Sequence, residues 1–281
     1  MLRIVLLMIL FMAAIFTIVT NLAAKRSGRA GVNPVSSISR GITKSLNSAD
    51  KLAPDLSGAL DRVERNLPKL VGKEGEEKSL AMKDFSGADF SGENRAKAVF
   101  AGALVANASF VNTLLDGATF EGATGDGATL KKARLAGAVF DASVFKGADF
   151  TGAELRAATA RAADMTGAVF NGADLSFIRA SLLIAEKADF TGAYATGAVF
   201  NEARLTGASF ADADATGVKF TGADLSGATF AKAKIEAADF TGAKLYGADL
   251  SDAIGAAADQ FAKACADAST KLPAGVAAPG C

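Results

Sequence analysis

Histidine and tryptophan are absent from this 281-residue chain, tyrosine occurs twice and proline five times. Without His the commonest general base and metal ligand are missing, and two cysteines, Cys265 and Cys281, are too few for a four-thiolate zinc site. Acid-base chemistry would fall to carboxylates, Lys or Tyr. Formal charge sums to zero, but unevenly: residues 1–80 hold 12 Lys/Arg against 7 Asp/Glu, and residues 81–252 hold 16 against 21. The front is basic and the body mildly acidic. What is abundant is Ala and Gly, which is not the palette of an ordinary mixed core.

Residues 1–24 contain one charged side chain, Arg3, in an apolar stretch close to the roughly 20 residues that cross a bilayer. A transmembrane signal-anchor helix is the first reading. A cleaved signal peptide is the second, although its apolar core should span only about 7–15 residues and "TNLAAKR" offers a poor cleavage site. Lys25, Arg26 and Arg29 follow immediately, can meet anionic lipid headgroups, and place the body in the cytoplasm by the positive-inside rule. Cys265 and Cys281 pull the other way, because a disulfide between them would suit a periplasmic or luminal compartment.

Residues 25–80 are linker-like, basic and rich in Gly, Ser and Pro, yet apolar residues recur at steps of seven from Val35 through Leu56 and Val63 to Leu70. An amphipathic helix over about 54–67, started by Pro54 and stopped before Pro68, is expected there. It would lie on its own domain, on lipid, or on a second copy.

From Phe85 to Leu250 a different rule holds. Every fifth residue is large and apolar with few exceptions, 34 consecutive positions in one frame, and Ala prevails two residues before each. Helices repeat about every 3.6 residues and strands every 2, so neither alone fits. Sorting the frame positions by twenties separates Phe cleanly. The column through 90 and 110 has Phe at seven of nine places and the column through 100 and 120 at six of eight, whereas the columns through 85 and 95 have two of nine and none of eight. A coil of twenty residues with four sides explains that sorting; a plain pentad does not.

The units "ADFSG", "ADFTG", "ADLSG" and "AKLYG" resemble the pentapeptide-repeat proteins, with their A(D/N)LxX consensus. The resemblance covers about residues 83–252. It implies an all-β solenoid, a right-handed quadrilateral β-helix, here of about eight to nine coils over 81–252 and roughly 40 Å long at one strand spacing per coil. Residues 253–281 are expected to add a short capping helix, with Ile254, Ala257, Phe261, Ala264 and Cys265 on one face, and a flexible tail.

The pattern is broken in places. In "SFIRASLLIAEK", residues 176–187, Ala180 and Ala185 take the large positions while Ile178 and Leu183 take the small ones, which conserves interior volume. Phe177, Leu182 and Ile184 fall at positions that face outward elsewhere. Either a distorted corner buries them, or they form an apolar partner-docking patch. Glu93 and Arg95 occupy inward positions, so the first coil is expected to be irregular, and Gly125 is expected to leave a central site unfilled. "GDGATLKK" lacks the spacing of a phosphate-binding loop.

No residues form a catalytic constellation, and no cofactor is expected. Asp, Ser and Thr recur because corners demand them. The expected function is a non-enzymatic, membrane-tethered scaffold or accessory subunit that binds a membrane-associated protein. The resemblance implies an alternative: some members mimic duplex DNA and protect type II topoisomerases from inhibitors. That mode needs a strongly negative surface, and here arginines and lysines are spread among the acids. Binding of nucleic acid itself is not expected, since only the linker is basic.

Overall fold

The computed structural model describes residues 79–280. The segments 1–24 and 54–67 and all of 25–80 but its last two residues, with Lys25, Arg26 and Arg29, lie outside them, as does Cys281. Among the described residues no helix is long and apolar enough to cross a membrane.

A period of five arises from three extended residues plus two that turn. Within each pentad the Ala faces in, the next residue faces out, and the large residue faces in again, the alternation that a strand imposes. Ala223, Leu225, Ala228 and Phe230 are all fully buried, whereas Asp224 and Thr229 face outward and are partly exposed. The two residues that follow make the corner. Gly222 sits at φ +68, and the N–H of Ala223 donates to the Phe220 carbonyl at 2.9 Å. A left-handed residue at the third place of a four-residue turn closed in this way is the type II arrangement, which explains the Gly of "TGA" and "SGA".

Each outward residue pairs in parallel with the one twenty places on, from Asp84↔Leu104 without interruption to Lys234↔Ile254. The four-sided, twenty-residue coil expected from the Phe columns is therefore present. Backbone donors are accounted for coil by coil. Phe220 N–H donates to the Asp239 carbonyl at 2.8 Å, Gly222 N–H to Thr241 at 2.9 Å, and Asp224 N–H back to Ala203 at 2.8 Å. The donor left over is the first corner residue, and the outward Asp accepts it: Ser226 N–H reaches Asp224 Oδ1 at 3.0 Å, with the Ser226 hydroxyl on the same oxygen at 2.6 Å. The same bond recurs at Asp84, Asp89, Asp149 and Asp239. The Asp of "ADL" and the Ser/Thr after it are thus corner chemistry.

The interior is two Phe ladders at right angles. Phe150, Phe170, Phe190, Phe210 and Phe230 stack with centroids 4.8–4.9 Å apart. The second ladder, Phe100, Phe120 and Phe140, resumes at Phe200, Phe220 and Phe240. The two meet edge to face, as at Phe110 and Phe120, 5.7 Å and 89°. Ala160 and Ala180 interrupt the second ladder, and Ile178 and Leu183 are buried beside that gap.

Several expectations are corrected. Gly125 leaves no hole: a Cβ there would lie 2.3 Å from Cε1 of Phe145, so the ring from the next coil already fills the space. The first coil is regular, with Asn94↔Leu114 in the ladder, because Arg95 and Glu93 pair at 2.6 Å and the guanidinium lies 5.3 Å from the Phe90 ring centroid. The capping helix shrinks to one turn, Ala258–Phe261.

The rest of that segment continues the coil with the frame slipped. Phe261 stacks on Phe240 at 4.7 Å, Cys265 pairs with Lys244, and Lys271 with Asp249. Ile254 is therefore half exposed, instead of sharing a buried helical face. Gln260 fastens the turn, its Nε2 donating to the carbonyls of Ile235 at 2.6 Å and Ala238 at 3.1 Å. Leu272, Val276 and Ala278, expected in a flexible tail, pack against the core, and Gly280 pairs with Ala266. Cys265 is disulfide-bonded.

This last coil carries a pH dependence. Asp249 has its carboxyl lowered to about 2, first by the Lys271 ammonium and then by Ser251. Asp267 is lowered to about 2, first by the Ser269 hydroxyl. Both contribute stability above the unfolded carboxylate value of about 3.9, and it is lost as pH falls through the folded value. The melting temperature of the C-terminal coil is expected to drop between about pH 4 and about pH 2. Asp249→Asn should lower it at neutral pH and flatten that slope; in a Tyr194→Phe background Tyr246 fluorescence reports the coil, and an unchanged slope in the variant would refute the assignment.

Candidate protein-docking surface

A side of the rod is a column of outward residues, so its character is read by stepping twenty. One column runs Val99, Thr119, Val139, Thr159, Arg179, Val199. The two corners that bound it carry Phe177 and Leu182, and those corners are undistorted. Ile178 N–H closes the first on Leu175 at 3.0 Å, Leu183 N–H closes the second on Ala180 at 3.3 Å, and residues 179 and 184 keep their ladder pairs.

A distorted corner that buries these side chains is therefore not what forms. Phe177 and Leu182 are 55% and 54% exposed, and both hold left-handed φ, 60° and 61°. Ile184 is half-buried on the next side, between Asp164 and Arg204 in its column. The interior exchange is as expected, with Ile178, Ala180, Leu183 and Ala185 all buried.

Sequence reasoning missed two neighbours that the frame could have supplied. Tyr194 is exposed on the side before Phe177, and Val199 lies directly above Arg179. Together Tyr194, Phe177, Val199, Leu182 and Ile184 form an apolar band around three sides, spread over two adjacent coils. The Phe177 ring leans along the axis, and a Cβ on Gly197 would meet its Cε1 at 2.8 Å.

Charges elsewhere on the rod pair diagonally, a corner residue with an outward residue eighteen places away. Lys131 meets Asp149 at 2.9 Å, Lys146 meets Asp164 at 3.1 Å, Arg134 meets Asp116 at 2.8 Å, Arg156 meets Asp174 at 3.4 Å, and Arg204 pairs with Glu186. Asp164 raises the Lys146 ammonium, first through their hydrogen bond. Such exposed pairs add little stability each. Among the described residues no group of three or more His, Cys, Asp or Glu is placed to hold a metal ion.

The family model described as pentapeptide repeats matches residues 126–159, 148–180, 186–222 and 223–254. No curated protein matches the chain. Similar solved structures include a trypsin-treated variant of QnrB1, a plasmid-mediated fluoroquinolone resistance protein, at 26% identity, covering 60% of this chain and 84% of that one, with a TM-score of 0.49. HetL, a pentapeptide repeat protein involved in heterocyst differentiation regulation from the cyanobacterium Nostoc sp. strain PCC 7120, is 23% identical over 69% of this chain and 91% of its own, TM-score 0.31. A pentapeptide repeat protein from the Arabidopsis thaliana thylakoid lumen is 30% identical over 43% and 73%, TM-score 0.26. The unbroken five-residue frame, the twenty-residue coil and the matching family model agree that the rod is built of pentapeptide repeats.

Proposed function

We propose that the chain is a non-enzymatic scaffold or accessory subunit, tethered to a membrane by residues 1–24, which binds another protein through the surface of its rod. The observation that carries the reading is the exposed apolar band at Phe177 and Leu182, on corners whose geometry Gly serves better. Asp, Ser and Thr side chains at many corners are engaged in corner bonds, which supports a structural role for them over a chemical one. Full-length protein extracted in mild detergent at native levels should co-migrate with one protein in stoichiometric amount. A lone monomer would refute the accessory-subunit reading.

The side of the membrane is open to a direct test. Lys25, Arg26 and Arg29 support a cytoplasmic rod, whereas a bonded Cys265 supports an oxidising compartment. Thiol labelling in intact cells decides: labelling of the cysteines places the rod in the cytoplasm, and protection that depends on periplasmic or luminal oxidation places it outside.

A topoisomerase-binding DNA mimic is the second reading, and one observation favours it. The side that runs Asp89, Ser109, Thr129, Asp149, Val169, Asp189, Ser209, Thr229, Asp249 carries no Lys or Arg until Lys271 joins it in the last coil. Unchanged supercoiling and drug sensitivity of gyrase on adding the full-length protein would dispose of it.

A further inference from the structure

Five arginines follow residue 100: Arg134, Arg156, Arg161, Arg179 and Arg204. Three hold carboxylates, as described. Arg161 and Arg179 are exposed, and among the described residues neither side chain has an ion pair or hydrogen bond. Both belong to the apolar band. Arg179 stands between Phe177 and Leu182, and Arg161 lies at the corner one coil below Leu182, its backbone N–H taken by Asp141 Oδ1 at 2.9 Å. The next corner above Leu182 is Glu202.

From this arrangement, and resting on the protein-binding reading, we infer that the band docks into a concave protein surface that offers apolar pockets for Phe177 and Leu182 and carboxylates for Arg161 and Arg179. Phe177 and Leu182 project from convex edges, so they are knobs that need pockets in the partner. Left-handed φ disfavours both residues, and each side chain stays more than half exposed to water, so the rod gains little from having them at those corners. A partner that covered the two guanidinium groups without supplying carboxylates would strand them, at a cost that apolar contact of this size does not offset. A positively charged or purely apolar surface is thereby excluded. An anionic bilayer shares the chemistry, but Asp141 below the band and Glu202 above it would face its headgroups; a protein can place its carboxylates to avoid them.

The test uses full-length chain in its native membranes with p-benzoyl-phenylalanine at position 177, or at 246 on another corner. Irradiation at 177 should yield a protein adduct whose cross-linked peptide lies in a pocket bordered by Asp or Glu. Its yield should fall about tenfold or more in Leu182→Gly, which suits the corner backbone, and in Arg179→Gln. Lipid adducts, or adducts between two copies of this chain, would overturn the inference. Adducts from 246 alone, or a yield at 177 indifferent to both substitutions, would overturn it while leaving the protein-binding reading intact. No protein adduct from either position would sink both.

Discussion

Phe150→Ala is expected to cost about 3–5 kcal/mol. Phe150 is fully buried and stacks on Phe170 at 4.9 Å while meeting Phe140 edge-on at 5.8 Å and Phe145 at 6.2 Å. Removing it leaves a void with rings on three sides, and these rings belong to ladders that coil-to-coil hydrogen bonds keep in register, so the void cannot collapse. Because each coil touches only its neighbours, the loss should be local. Amide hydrogens near residues 130–170 should exchange first, and the denaturant midpoint should fall accordingly. A near-neutral result would mean that the ring does not fill the hollow of the coil.

The second large effect is a swap. Gly125→Leu should destabilise by about 1–3 kcal/mol, because the new Cβ would sit 2.3 Å and 2.7 Å from atoms of the Phe145 ring, and a packed ring cannot yield as a flexible chain end does. Phe145→Ala alone should cost about 3–5 kcal/mol through the void it opens. Made together, the two changes place a Leu where Gly stood and free the space it needs. The double variant should be more stable than the sum of the single losses by well over about 1 kcal/mol, measured as a coupling in denaturant unfolding. Strict additivity would show that Phe145 does not occupy the volume that Gly125 concedes.

These two sites mark where reading the chain succeeds and where it stops. Phe150 lies in a column that the twenty-residue sorting isolates, so its burial and its stacking partners follow from arithmetic on the sequence. Gly125 is visible as an exception, but which neighbour leans into its space depends on a rotamer of Phe145, and no periodicity encodes that. The same limit applies at Arg95 and Glu93: their inward positions were legible, their mutual pairing over Phe90 was not.

At the C-terminal end the frame slips by one residue at Phe261 and again before Lys271, so a fixed count of five loses the trail, and Ala-rich sequence then reads as helix. Allowing one inserted residue would have put Phe261 on the Phe240 ladder. For the docking band, the outward positions of Phe177, Leu182 and Ile184 were legible from the frame. The isolation of Arg161 and Arg179 was not, because ion pairing on this rod runs diagonally across coils and depends on which corner residue can reach.

The parallel pairing of every outward residue with the one twenty places on has an implication for how such a chain can change in length. Duplicating or losing one full turn leaves every ring above a ring and every turn above a turn. Gaining a single pentad rotates everything downstream by a quarter revolution and sets Phe over the Leu and Ala sides. A gene for this rod can therefore grow or shrink without penalty only by whole revolutions, and the interrupted stretch around Ala160 and Ala180 is where an old junction between two such lengths would be sought.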